Sequence, residues 1–116
     1  MMATDCLFCK IIAGDIPSEK VFENDNVLGF KDIQPQAATH LLFIHKDHTK
    51  DVFEMAGTKP EQVSQIFAGV HGYAAENGYD AKGFRLVTNN GKSAGQTVFH
   101  THFHFLSDAG LGSFGN

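Results

Sequence analysis

Hydrophobic and polar positions recur along this chain with two different periods, and the clearest run of the longer one begins at Thr58. Val63, Ile66, Phe67, Val70, Tyr73 and Ala74 follow at steps of three and four, which places apolar groups on one stripe of a helix. "TKPE" has the form of a capping box, with Glu61 three residues after Thr58 and Pro60 in the tolerated first turn, and Asn77-Gly78 supplies the stop. "LFCKIIAGD" reads as a short helical turn ended by Gly14. The remaining patterned stretches are short and strand-like. "KVFEN" and "VLGFKD" flank the turn residues Asn24, Asp25 and Asn26 and predict a hairpin. "THLLFIHK" suits a buried central strand, with His40 at its start and His45 near its end. "GFRLVTN" is a fourth strand, "NGKSAGQ" a Gly/Ser loop, and "TVFHTHFHFL" a last strand. Strands surrounding one main helix predict an α+β fold with a mostly antiparallel sheet of five strands.

Composition narrows the setting. At 116 residues with 42% hydrophobic residues and eleven Phe, the chain can bury a core as one domain over 1–116 without disulfide staples. Net charge is −4 and no Lys/Arg block stands out, which argues against a nucleic-acid footprint. Apolar runs fall far short of the ~20 residues needed to span a bilayer. "MMATDCLFCK" has neither a basic nor an apolar leader region, and two Cys cannot make a secreted disulfide framework, so the expected location is cytoplasmic.

The stretch with most chemical content is "HTHFHFL" at 100–106. On a strand, His100, His102 and His104 share one face, while Phe99, Phe103 and Phe105 point to the other and are expected in the core. Adjacent histidines then lie roughly 6.6 Å apart and the outer two roughly 13 Å, so all three cannot ligate one metal at bond lengths of about 2 Å. Three readings stand: incidental histidines on a solvated strand, a metal site using two of them, or phosphoryl-group chemistry. The last suits an imidazole row, because neutral imidazole is a nucleophile at pH 7 and imidazolium is a donor to phosphate oxygens.

"HTHFHFL" resembles the His-φ-His-φ-His-φ-φ signature of the histidine triad (HIT) superfamily, with Thr101 the least hydrophobic φ position. "FCKIIAGDIPSEKVFENDNVLGFKDIQPQAATHLLFIHKDH" and "GFRLVTNNGKSAGQTVFHTHFHFL" are similar to the two halves of its Hint branch, the histidine triad nucleotide-binding proteins, over roughly residues 6 to 107. The resemblance implies an HIT-like fold and site roles. His102 corresponds to the nucleophile that forms a nucleotidyl-histidine, His100 and His104 to contacts on the phosphate, and His40 to a fourth active-site histidine. Asn89, Gln96 and Thr97 match polar phosphate-side positions. Asp32 matches the carboxylate that accepts from ribose hydroxyls, and Phe8, Phe30, Ile33 and Leu42 match positions around base and sugar. The Gly91–Gly95 loop is expected to offer backbone N–H groups to phosphate.

The activity implied is that of a purine nucleoside phosphoramidase, which hydrolyses adenosine 5′-phosphoramidates to AMP and an amine. Two alternatives stand beside it: a nucleotide-binding regulatory module with incidental hydrolysis, and a dinucleoside polyphosphate hydrolase. Nucleotidyl transferases of the superfamily carry Gln at the third triad position, and His104 argues against them. The resemblance implies a homodimer built partly from the 60–77 helix and the "GFRLVTN" strand, with no nucleic-acid or membrane partner. No cofactor is expected for catalysis. Some relatives bind a structural zinc, and the corresponding positions here are Cys6, Cys9, His48 and His100. "GKS" at 91–93 is not a P-loop, because the required earlier Gly falls at Leu86. Two departures are noted: His45 stands where relatives usually have Pro, and the Gly-rich tail "SDAGLGSFGN" lacks the Trp of some members.

Overall fold

The computed structural model describes residues 6–112. Its five strands are β1 (Lys20–Glu23), β2 (Val27–Lys31), β3 (Thr39–His45), β4 (Arg85–Val87) and β5 (His102–Ser107). They form one sheet in the order β1-β2-β3-β5-β4, every neighbouring pair antiparallel. Helix α1 (Leu7–Ala13) leads into the sheet and ends as expected at Gly14, whose φ of 84° lets its N–H reach the Ile11 carbonyl. The expected α+β class, central β3 and β1–β2 hairpin are all present.

Strand alternation divides the side chains between two faces. Val27, Leu41, Phe43, Phe103 and Phe105 meet Ile66, Val70 and Ala74 of helix α3 (Pro60–Asn77) in the larger core. Leu28, Phe30, Leu42 and Ile44 of the opposite face pack under Phe8 and Ile11 of α1 in a second cluster. Helix α1 thus covers only one end of its face, and the histidines of β3 and β5 lie beside it.

Three expectations are corrected. The main helix does not begin at a capping box on Thr58. That residue closes a separate helix α2 (Val52–Thr58), and its hydroxyl donates back to the Glu54 carbonyl at 2.7 Å. The working cap lies one helix earlier, where Asp51 Oδ1 accepts from the Glu54 N–H at 3.0 Å and Glu54 Oε1 accepts from the Lys50 N–H at 2.7 Å. Helix α3 starts at Pro60 with Lys59 as a cap that makes no side-chain bond. A short α4 (Tyr79–Lys82) also follows Gly78. The second correction concerns the last strand. Its ladder starts only at His102, because Thr101 turns aside to Thr49, its N–H donating to the Thr49 carbonyl at 2.9 Å and the two hydroxyls meeting at 2.6 Å. The third follows from it: Phe99, freed from the pleat, is 48% exposed rather than in the core.

The capping geometry makes a test. Asp51→Ala removes the α2 cap and is expected to cost about 1 kcal/mol, whereas Thr58→Ala at an exposed hydroxyl should cost well under that. Urea denaturation of both variants separates them, and the reverse order would restore the capping box to Thr58.

Candidate functional site

The β3–β5 register sets Leu42 opposite His104 and Ile44 opposite His102, and it places His40 one step further along the same face. A cleft of about 370 Å³ opens there. Phe8, Ile11, Ile16, Phe30 and Leu42 line its apolar end, and Asp32, His40, His102, His104 and Thr97 bring its polar groups. Phe8 is fixed from both sides, edge-on to Phe30 at 5.5 Å and to the His102 ring at 5.0 Å.

Hydrogen bonding assigns the proton positions. His102 Nδ1 lies 2.7 Å from the His100 carbonyl, which can only accept, so Nδ1 carries the hydrogen and the lone pair is left on Nε2. His40 Nδ1 accepts from the Gln36 N–H at 2.9 Å, so neutral His40 carries its hydrogen on Nε2. That hydrogen points at His104 Nδ1, 2.9 Å away, with Asp32 Oδ2 at 3.4 Å as a second acceptor. His104 then accepts at Nδ1 and carries its own hydrogen on Nε2. Burial disfavours charge throughout: it lowers His102 and His40, each partly offset by Asp32, and it brings His104 down to about 4 with help from His102 and His40. Burial thus favours neutral imidazoles here, and the hydrogen bonds select their tautomers.

The structure separates the first histidine of the row, His100, from this cleft. His100 is buried, and its Nε2 donates to the His45 carbonyl at 3.2 Å. Its Nδ1 faces Cys6 Sγ at 3.3 Å, Cys9 Sγ at 3.4 Å and His48 Nδ1 at 3.2 Å, while Cys9 Sγ lies 3.3 Å from His48 Nδ1. One lone pair cannot serve three neighbours. A shared cation can: tetrahedral zinc at 2.0–2.3 Å bonds puts its ligand atoms roughly 3.3–3.8 Å apart. The four ligand atoms here all fall within 4.8 Å of one another. With side chains alone, burial and the neighbouring Cys6 push the Cys9 thiol up to about 12, so a cation is what would turn this cluster into a thiolate site. The residues fit the group.

A family model, the HIT domain, matches residues 13–110. The chain belongs to the HIT family. It is 42% identical to "Protein hit" of Bacillus subtilis over 112 residues, covering 95% of this chain and 75% of that protein. It is 34% identical to "Purine nucleoside phosphoramidase" of Escherichia coli over 111 residues, covering 96% and 93%. Among solved structures, an "HIT family hydrolase" of Clostridium thermocellum superimposes with a TM-score of 0.89 at 38% identity, covering 97% of this chain and 98% of that one.

Within this HIT fold the expected site residues are sorted by geometry. Asp32, His40, His102, His104, Phe8, Phe30, Leu42 and Thr97 converge on the cleft, and Ile33 lies at its rim with 93% exposure. Three do not converge. His100 turns to the cysteines, as above. Gln96 is buried and spends its amide on the Gly91 N–H and the Lys50 and Val98 carbonyls, and Asn89 donates to the Ala94 carbonyl. Both hold the glycine loop together, since that loop carries a 3-10 turn (Lys92–Ala94) and needs partners at its base. Within the loop and at its base, the N–H groups of Gly91, Ala94, Gly95 and Gln96 are bonded to the loop's own oxygens. Sequence reasoning missed Ile11 and Ile16 of the apolar wall; Phe8 and Ile11, three apart on α1, carried the signal. His45 is a structural residue, buried at the end of β3 and joined to Gln65 at 2.6 Å.

Burial of His104 carries a pH dependence. The unfolded side chain takes a proton near 6.5 and the folded one near 4, so the unfolded state binds more protons between them and stability falls as pH drops through that window. His104→Gln should lose less stability than wild type between pH 7 and pH 5, by at most about 1.4 kcal/mol per pH unit. Equal losses in urea denaturation would show that His104 titrates normally.

Proposed function

We propose that this chain is a nucleotide hydrolase that cleaves the P–N bond of purine nucleoside 5′-phosphoramidates, with His102 as nucleophile. One observation carries the reading: His102 keeps its lone pair on Nε2 in a cleft where the next imidazole, His104, carries its hydrogen on Nε2. The similarity to a protein named for this activity in Escherichia coli supports the substrate class.

In this reading Phe8, Phe30, Leu42 and Ile33 take the base and sugar, Asp32 accepts from the ribose, and Thr97 contacts the phosphate side. His102 Nε2 bonds to the α-phosphorus as the P–N bond breaks, and the amine leaves with a proton taken from solvent. Water attacks the same phosphorus and returns a proton to solvent, and the P–Nε2 bond breaks to release the nucleoside monophosphate. The sum is one water consumed per P–N bond. His104 Nε2–H, beside the α-phosphate, stabilises charge on its oxygens in both steps. Asn89 and Gln96 act by shaping the loop before Thr97, and His100 acts through its carbonyl, which orients His102.

Two further parts belong to the reading. Zinc held by Cys6, Cys9, His48 and His100 would fasten α1 to the start of β5 without entering the chemistry. The short edge strand β4 and the half-exposed Phe67 of α3 would pair with a second copy in a homodimer.

His102→Ala should lower kcat on an aminoalkyl adenosine phosphoramidate by at least a thousandfold, roughly the scale of losing a nucleophile, while AMP affinity changes little. Retention of a tenth of kcat would remove His102 from the role. Running P–N against P–O–P substrates in the same assay tests the substrate class. Native mass spectrometry of untagged protein should show twice the 12.7 kDa chain mass plus two zinc ions. A metal-free monomer would remove both the zinc and the dimer.

A further inference from the structure

Asp32 occupies the gap between β2 and β3, and two bonds fix it before any ligand arrives. Its N–H donates to the His40 carbonyl at 3.0 Å, and its Oδ1 accepts from the Gln34 N–H at 2.8 Å. The carboxylate is therefore held against His40 with Oδ1 engaged, and Oδ2 faces the His40 Nε2 at 3.4 Å. His40 Nε2 has a single hydrogen and two acceptors, the other being His104 Nδ1 at 2.9 Å. His40 cannot escape the choice, because it is 6% exposed and its Nδ1 is tied to the Gln36 N–H.

We propose that Asp32 is a positioning residue for His40 as well as an acceptor for the sugar, so that ribose hydroxyls and the His40 N–H compete for Oδ2. This rests on the nucleotide-hydrolase reading, in which Asp32 meets the ribose. A carboxylate oxygen has two acceptor sites, and hydroxyl hydrogen bonds to Oδ2 fill them and spread its charge. Asp32 then pulls less on the His40 hydrogen, which commits to His104 Nδ1. That bond fixes the His104 tautomer with its hydrogen on Nε2, towards the cleft. A ligand without sugar hydroxyls leaves His40 divided between two acceptors, and His104 is free to turn. The sugar is thus read in the chemical step and not in binding alone. Interactions that form only in the productive complex raise kcat, whereas uniform binding alters KM.

The experiment compares adenosine 5′-phosphoramidate with its 2′,3′-dideoxy analogue in wild type and Asp32→Asn. Asparagine keeps an oxygen for the Gln34 N–H, so the local turn is preserved. Wild type should favour the ribonucleotide in kcat by about tenfold, a coupling of ordinary size. In Asp32→Asn that kcat ratio should approach one. In wild type labelled with ¹⁵N-histidine, saturating AMP should shift the His40 Nε2–H resonance, and 2′,3′-dideoxy-AMP should leave it in place. Sugar discrimination confined to KM, a kcat ratio that persists in Asp32→Asn, or equal shifts with both nucleotides would each overturn the proposal. A ribose-dependent shift in a protein that cleaves no phosphoramidate would support the Asp32 coupling and overturn the phosphoramidase reading instead.

Discussion

The antiparallel pairing of β3 with β5 is the constraint on which the site depends. Its register runs from Thr39 opposite Ser107 to Ile44 opposite His102. Side chains alternate faces along a strand, so a slip of one residue would send His102 and His104 into the α3 core and bring Phe103 and Phe105 into the cleft. The cost of that slip is large, because Phe43 and Phe105 are wholly buried where they stand. Apolar packing on the far face therefore fixes, to one residue, which imidazoles meet on the near face. The same register brings His40 within 2.9 Å of His104 although 64 residues separate them in sequence.

Burial then does chemical work that the register alone cannot. An exposed imidazole near pH 6.5 is a mixture of charge states and tautomers, whereas His102, His104 and His40 are shifted towards neutrality by desolvation. Backbone groups select among the tautomers that remain. The His100 carbonyl and the Gln36 N–H impose opposite choices on His102 and His40, and His40 passes its choice on to His104. A free Nε2 lone pair and a neighbouring Nε2–H donor thus arise from identical side chains distinguished only by what the backbone offers each of them.

The fold was legible because its signals are local and repeated: alternating strands, one long apolar stripe and glycines at the helix ends. The histidine row and His40 were legible through the family pattern, since nothing short-range joins positions 40 and 104. What misled was the choice among equivalent local signals. A capping pattern exists at both Asp51–Glu54 and Thr58–Glu61; Asp51 caps α2, while Thr58 lies in the last turn of that helix and spends its hydroxyl on the Glu54 carbonyl. Gln96 and Asn89 are polar residues near the site, yet a tight glycine-rich loop has more unpaired backbone groups than its own turns can satisfy, and the two amides are consumed there. Phe99 follows the period of the strand in sequence but precedes the first rung of its ladder, where alternation no longer sorts side chains.

His100 shows how a period-two motif can serve two centres. Strand geometry forbids one metal from meeting all three imidazoles, and the ladder of β5 begins only at His102. The His100 ring goes to Cys6, Cys9 and His48, and its carbonyl stays with His102. Phe8 sits between the two cysteines in sequence and touches both the His100 and His102 rings, at 6.0 and 5.0 Å. Whatever holds the cysteine cluster together also sets the wall of the cleft and the orientation of His102. The two centres share atoms of a single residue, so the order of one is a condition for the geometry of the other.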